Sequence, residues 1–412
     1  MGRENLLVAR RILLLTATLL SLAACAPSGS APSAARPDAS TTIAEPVLAS
    51  MPAFYRDLPS TPSGPRGTVV AREAFTYPGA SGAWRVAYTS VADDGAAIAV
   101  TGLVIVPAGA APDGGWPVVS WAHGTTGIGD ACAPSLDPTR MLPARSLLAA
   151  GFAFVATDYE GLGTLGRHPY LDGPSEARSI LDITAAAQRE PDWHLGPDVV
   201  IWGHSQGGHG ALFAAEFAHE HPEMHVVGIV AGAPASGLDA VGAATTPALR
   251  RFSIMLASGL SDPVDLPLED VLTEEGVEVV TQSSQWCSEA IQAAIDRFGS
   301  DARVARTDPS DAWRARLRQN DPLSIEWTSV IPTLIVHGSA DDLLPVGNSA
   351  SIHARRCART GHSEFWTADG ADHVTVVSAT FPAMVRWMEE RFSGVADSAV
   401  ALPANVRRAV CS

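Results

Sequence analysis

The chain has 412 residues, a length that suits two or three average domains or one large α/β domain with insertions. Hydrophobic residues at 46% and charged residues at 17% are enough for a core and exclude a disordered or fibrous chain. The net charge is −16, all 28 basic residues are Arg, and none of them form runs; phosphate binding needs clustered cations, so no nucleic acid partner is expected.

Arg3, Arg10 and Arg11 precede an apolar run from Ile12 to Leu22, too short for a bilayer span, which needs about 20 helical residues. A basic head, a short apolar stretch and small residues predict an export leader over residues 1–24. Leu22-Ala23-Ala24-Cys25 resembles the lipobox of bacterial lipoproteins, which implies acylation of Cys25 and attachment to a membrane through an N-terminal lipid anchor. The alternative is ordinary cleavage near Ala24 and full secretion; Arg10-Arg11 also fits a twin-arginine signal. Residues 25–51 are small and Pro-rich and read as a flexible tether, with folded sequence expected from about Pro52-Ala53-Phe54-Tyr55. With Cys25 set aside, Cys132, Cys287, Cys357 and Cys411 remain; an even number in an exported chain predicts two disulfides and leaves three pairings open. No cysteine or histidine spacing suits zinc, and neither a metal nor an organic cofactor is expected.

Further along, strands are expected over Ala97–Val106, Trp116–Ala122, Phe152–Thr157, Val199–Trp202, Val226–Ala231, Ile331–Val336 and Glu364–Thr367. Helical stretches fall around Ser146–Ala150, over Glu176–Gln188 and from the end of the Val199 strand through His219. Apolar strands alternating with helices predict a mostly parallel sheet covered on both faces, with core sequence over 52–237 and 327–412. From 238 to 326 no sheet strand is legible. Helical patches at Ala248–Leu256 and Ser288–Phe298 are broken by Pro263 and Pro267, and a segment this long predicts an inserted helical cap rather than a loop.

The most informative stretch is Val199-Val200-Ile201-Trp202-Gly203-His204-Ser205-Gln206-Gly207-Gly208, a strand, then Gly-x-Ser-x-Gly, then a helix. A Ser at this turn has its hydroxyl held clear of the sheet, and the helix start turns backbone N–H groups and a dipole toward a developing oxyanion. The five-residue pattern alone is common; the strand before it and the helix after it make Ser205 the candidate nucleophile. An acid and then a base should follow in the chain. Asp341, just past the Ile331 strand, is the expected acid, with Asp342 as its rival, and His373, on the loop after the last expected strand, is the expected base. His362 precedes that strand and lies at the wrong end, while His123, His204 and His209 precede the acid and read as loop or elbow packing residues. The loop His123-Gly124-Thr125-Thr126-Gly127 should offer the backbone N–H of Thr125 to an oxyanion hole shared with that of Gln206; the Thr125 hydroxyl is a further candidate donor. Phe252, Ile254, Met255 and Leu256 are candidate lining of an apolar substrate pocket, although such spacing more often marks ordinary helix core.

Taken together, these motifs resemble the α/β-hydrolase superfamily over nearly the whole mature chain and, within it, the secretory lipase family related to fungal lipases of the lipase-A type. The resemblance rests on Phe54-Tyr55, His123 to Gly127, Cys132-Ala133-Pro134-Ser135, Asp158-Tyr159-Glu160-Gly161-Leu162-Gly163 and Gly203 to Gly208. It implies hydrolysis of small-molecule or lipid carboxylic esters, a helical lid after the family's sixth strand, and disulfides Cys132–Cys287 and Cys357–Cys411. The lipobox departs from the fungal pattern and points to a bacterial envelope protein. Acyl transfer to an envelope alcohol or peptidase action on the same triad, and a non-enzymatic binding role, are the alternatives. Oligomeric state is left open.

Overall fold

The computed structural model describes residues 50–411, apart from 141–142, 242–245, 262–263, 284, 300 and 396–398. The expected leader, Cys25 and the tether as far as residue 49 lie outside the described residues.

The sheet strands are β1 (Val69–Ala74), β2 (Ala80–Val91), β3 (Ala97–Pro107), β4 (Trp116–Ala122), β5 (Ala153–Thr157), β6 (Leu195–His204), β7 (His225–Gly232), β8 (Thr333–Gly338), β9 (Ser363–Ala368) and β10 (Val406–Val410). The main helices are α1 (Ala144–Ala149), α2 (Gly173–Gln188), α3 (Gln206–Phe217), α4 (Pro247–Ser261), α5 (Glu274–Ser283), α6 (Ser288–Asp296), α7 (Asp311–Gln319), α8 (Val346–Thr360) and α9 (Thr375–Phe392). The strands form one sheet in the order β1-β2-β3-β5-β4-β6-β7-β8-β9-β10. Pairing is parallel from β5 through β4, β6, β7 and β8 to β9, and antiparallel at both edges.

The parallel strands are buried on both faces, which is why they read as unbroken apolar runs. Along β6, Val199 and Ile201 enter a core with Ile180 and Leu181 of α2 and Ala211 of α3. Val200 and Trp202 enter the opposite core, with Leu147 of α1 and Met384 and Trp387 of α9. Alternation along the strand thus clamps β6 between two layers and fixes the direction in which its C-terminal end delivers the chain.

Between β7 and β8 the described residues hold helices α4 to α7 and no strand of the sheet. Ile254, Met255, Leu260, Val279, Ile291, Ile295 and Trp313 close a separate apolar core there. This layer is fastened to the sheet body by covalent and polar links. Cys132 and Cys287 form a disulfide, Asp321 accepts backbone N–H bonds from Gly237 and Leu238 at 3.1 and 2.8 Å, and Arg316 pairs with buried Asp172 at 2.5 Å. The second disulfide, Cys357–Cys411, ties α8 to the chain end beyond β10. Both pairings are those the family resemblance implied.

Candidate functional site

Ser205 sits between β6 and α3 with φ 59° and ψ −118°, a backbone conformation that costs a non-glycine residue on the order of 1–3 kcal/mol. Two glycines make the turn feasible. A Cβ on Gly203 would meet the Gly207 carbonyl, and one on Gly207 would meet the carbonyl of Ala122 in β4. The Ser205 backbone is then fixed from both sides, its N–H donating to Gly232 O at 2.9 Å and its carbonyl accepting from His209 and Ala235 at 3.0 and 3.1 Å.

The loop after β9 brings His373 Nε2 to 3.0 Å from Ser205 Oγ. The turn after β8 places Asp341 Oδ2 2.8 Å from His373 Nδ1. Asp341 Oδ1 accepts from the N–H groups of Leu343 and Leu344 at 2.9 and 2.8 Å, so the carboxylate cannot turn. Burial pushes this carboxyl up, but the bonds from His337, His373 and Leu344 N–H outweigh it and hold Asp341 well below the usual range. It is therefore an anion at every physiological pH. Asp342 is exposed and lines the mouth of the cleft instead.

Two histidines read as packing residues or passed over have defined contacts here. His337 Nε2 lies 2.9 Å from Asp341 Oδ2, and its Nδ1 lies 2.7 Å from Ser349 Oγ. The Ser349 hydroxyl donates to Nδ1, which leaves the Nε2–H for the carboxylate. His204 Nε2–H donates to the His373 carbonyl at 2.7 Å, and the two rings lie 4.8 Å apart. Burial, with the His373 charge second, lowers His204 to about 4, so it stays neutral and does not compete as the base. The signal for His337 was its position four residues before Asp341 at a strand end. Nothing in the sequence distinguished His204 from other elbow residues.

Thr125 lines the cleft at the end of β4, and its hydroxyl is 2.8 Å from the Tyr170 hydroxyl. The Gln206 side chain turns away from the cleft. Its Nε2 lies 3.0 Å from both Glu176 Oε1 and His168 Nε2. Glu176 Oε2 also contacts His209 Nδ1 at 2.6 Å, and His209 Nε2–H donates to Asn320 O at 2.7 Å. Burial opposes charge on His209, but Glu176 and Asn320 raise its pKa. This buried cluster locks the first turn of α3 and leaves the Gln206 backbone N–H at the helix start.

The other recurring motifs serve as braces. Asp158, after β5, accepts from Ser135 N–H at 2.8 Å and from the Thr101 hydroxyl at 2.7 Å, and it bonds the Ser135 hydroxyl as well. Tyr55 OH reaches Ser135 Oγ at 2.7 Å, and Tyr159 OH donates to His123 O at 3.0 Å. These bonds bolt the Cys132 loop and the Thr125 loop to the sheet.

The cleft holding Ser205 and His373 has a volume of about 910 Å³. Of the expected lining residues, Phe252 reaches it. Ile254, Met255 and Leu256 do not; they are 0%, 0% and 4% exposed and pack in the core of the layer between β7 and β8. The reason is helical geometry: Met255 faces Ser288 at the start of α6, Leu256 lies beside Trp313 and Leu317 of α7, and the stripe through Ala248, Arg251 and Phe252 faces the cleft. Among the described residues, no group of three His, Cys, Asp or Glu side chains converges as metal ligands would.

The secretory lipase family model matches residues 139–399. The chain is 25% identical over 321 residues to a Mycobacterium tuberculosis protein called "Probable inactive lipase", covering 71% of this chain and 69% of that one. It is 23% identical to Lipase 1 of Candida albicans over 76% of this chain and 72% of that one. Among solved structures, Candida antarctica lipase A in its closed state is similar with a TM-score of 0.69 and 20% identity, over 86% of this chain and 90% of that chain. A rice cell wall degrading esterase, LipA from Xanthomonas oryzae, is similar with a TM-score of 0.65 and 19% identity, over 81% of this chain and 100% of that chain. The fold is the α/β-hydrolase fold.

Proposed function

This chain belongs to the secretory lipase family, and from that premise we propose that it is a serine hydrolase of carboxylic esters, exported and held at a membrane through Cys25. The observation that carries the catalytic part is the run Ser205 Oγ, His373 Nε2, His373 Nδ1, Asp341 Oδ2, with links of 3.0 and 2.8 Å at a cleft. One relative's name calls it inactive, which makes this triad the point to test.

Ser205 Oγ attacks the ester carbonyl as His373 Nε2 takes the hydroxyl proton, and Asp341 stabilises the imidazolium that forms. The negative charge on the carbonyl oxygen is taken by the backbone N–H groups of Thr125 and Gln206. As the tetrahedral adduct collapses, the alcohol leaves with the proton from His373, and Ser205 is left acylated. A water then gives a proton to His373 and attacks the acyl carbon; the acid departs and Ser205 recovers its proton. In this reading residues 238–326 form the lid over the site, residues 1–24 are an export leader and residues 25–51 a tether. Two disulfides support an oxidising compartment.

The test is initial rates on p-nitrophenyl esters from acetate to palmitate, for the parent and for Ser205→Ala. The account expects turnover by the parent and its loss in the variant. Parent rates that survive in the variant, or no turnover at any chain length, would overturn it.

A further inference from the structure

Several arginines packed against the body of this fold are held by carboxylates. Arg66 pairs with Asp182 and Glu220, Arg316 with Asp172, Arg72 with Glu190, and Arg189 with Glu223. The chain carries 44 acidic side chains against 28 basic ones, so a guanidinium without a carboxylate does not reflect a shortage of partners.

Arg251 is such a guanidinium. It projects from α4 into the cleft that contains Ser205 and His373. Among the described residues no ion pair or hydrogen bond holds it, and its buried Nε–H has no partner. Its guanidinium carbon lies 5.2 Å from the centroid of the Phe252 ring. Thr125 lines the same cleft, its Oγ1 held by the Tyr170 hydroxyl at 2.8 Å. Leaving a half-buried guanidinium donor unpaired is costly, and a planar fork of N–H groups suits a carboxylate or a phosphate.

We propose that Arg251 is a specificity-determining residue that binds an oxyanion group carried by the substrate, so that the cleft selects esters bearing a free carboxylate or phosphate over neutral ones. This rests on the ester-hydrolase reading of the same site. Asp137, Glu289, Asp342 and Asp372 also line the cleft, and all four are exposed. Charges at an exposed rim are screened within about 8 Å at physiological salt, and they act on approach more than on grip. Arg251 is half-buried with its Nε shielded from solvent, where one charged hydrogen bond counts for more.

Two substrate pairs separate the sources of the oxyanion. The first is the p-nitrophenyl hemiester of adipic acid against its neutral methyl ester. The second is 1-acylglycerol 3-phosphate against 1-monoacylglycerol. For Arg251→Gln, the ratio of kcat/KM for the anionic over the neutral member should fall at least tenfold in one pair or both, mostly through KM, and Arg251→Lys should restore part of it. An unchanged ratio, or an equal loss on both members of each pair, would overturn the proposal and leave Arg251 a packing or oxyanion-supporting residue. Titration of monomethyl adipate and dimethyl adipate into Ser205→Ala and Ser205→Ala/Arg251→Gln gives a reading independent of turnover. Tighter binding of the monoanion that disappears with Arg251 would support the proposal even if no ester were hydrolysed, whereas equal binding of the two esters would count against it.

Discussion

Ser205 and Arg251 line one cleft, yet they are positioned by different means. Ser205 is set by backbone: a strand clamped between two core layers, a turn that admits no Cβ at Gly203 or Gly207, and main-chain bonds on both sides. Asp341 and His373 likewise leave the ends of β8 and β9 and meet through bonds of defined direction. The face of α4 in the cleft is instead the part of an amphipathic helix left over after Met255 and Leu256 have filled the core of the helical layer. In the proposed reading, reaction chemistry would depend on the sheet rim and substrate choice on the packing of the four helices between β7 and β8. The two regions should respond differently to substitution.

The largest effect expected is at the rim. Asp341→Asn should lower kcat by about 10⁴ with little change in melting temperature, because it removes the charge and misdirects the His373 tautomer while nearly preserving shape. A loss within tenfold, measured on any turned-over ester, would break the assignment of Asp341. Next comes the link between the regions. Cys132→Ser opens a bridge spanning 155 residues and should cost about 2–5 kcal/mol in denaturant unfolding. No change in midpoint would mean that the polar fasteners at Asp321 and Arg316 hold the layer alone.

Within α4 the contrast sharpens. Met255→Ala should destabilise by about 2–4 kcal/mol through a cavity and leave the chain-length profile in place. Phe252→Ala should shift the preferred acyl length and destabilise less. If the two variants exchanged behaviours, the orientation of the helix described here would be wrong.

The smallest effect is a pH dependence. Burial pushes Asp130 up to about 7, against a weaker downward pull from the backbone of Gly163 and Thr164. Above its ordinary value near 4 the unfolded chain has lost this proton while the folded one retains it, so stability falls as pH rises toward 7. Asp130→Asn should therefore gain stability relative to the parent between pH 5 and pH 8, by on the order of 1–2 kcal/mol in thermal or urea unfolding. A gap that stays constant or narrows across that range would contradict the burial argument.

The legible parts of the sequence share a physical cause. Strands β3 to β9 are sealed on both faces or nearly so, and their apolar runs stand out; the boundaries shift by a few residues at most. β1 and β10 were not read because they are antiparallel edge strands with mixed exposure, and β10 carries Arg407 and Arg408 within five residues; β2, antiparallel between β1 and β3, is likewise of mixed exposure over its first half. Helix α9 was also missed; it contains Pro382 and starts Thr375-Val376-Val377, which favours other conformations when taken alone. At the site, Ser205, Asp341 and His373 were legible because a strand–turn–helix pattern and chain order constrain them. The pairing of the four cysteines came from family resemblance, since spacing left three possibilities. His204 and Arg251 depend on how elements far apart in the chain come together, and no local pattern carries that information; His337 had a local signal in its place four residues before Asp341.

The central claim is that Ser205 is an activated nucleophile. A fluorophosphonate ester tests it directly, because the reagent phosphonylates a serine only when a neighbouring base has raised its reactivity. The account predicts one adduct per chain, on the peptide containing Ser205, abolished in Ser205→Ala and reduced to a trace in His373→Ala. A protein that stays unlabelled, or is labelled equally well without His373, would contradict it.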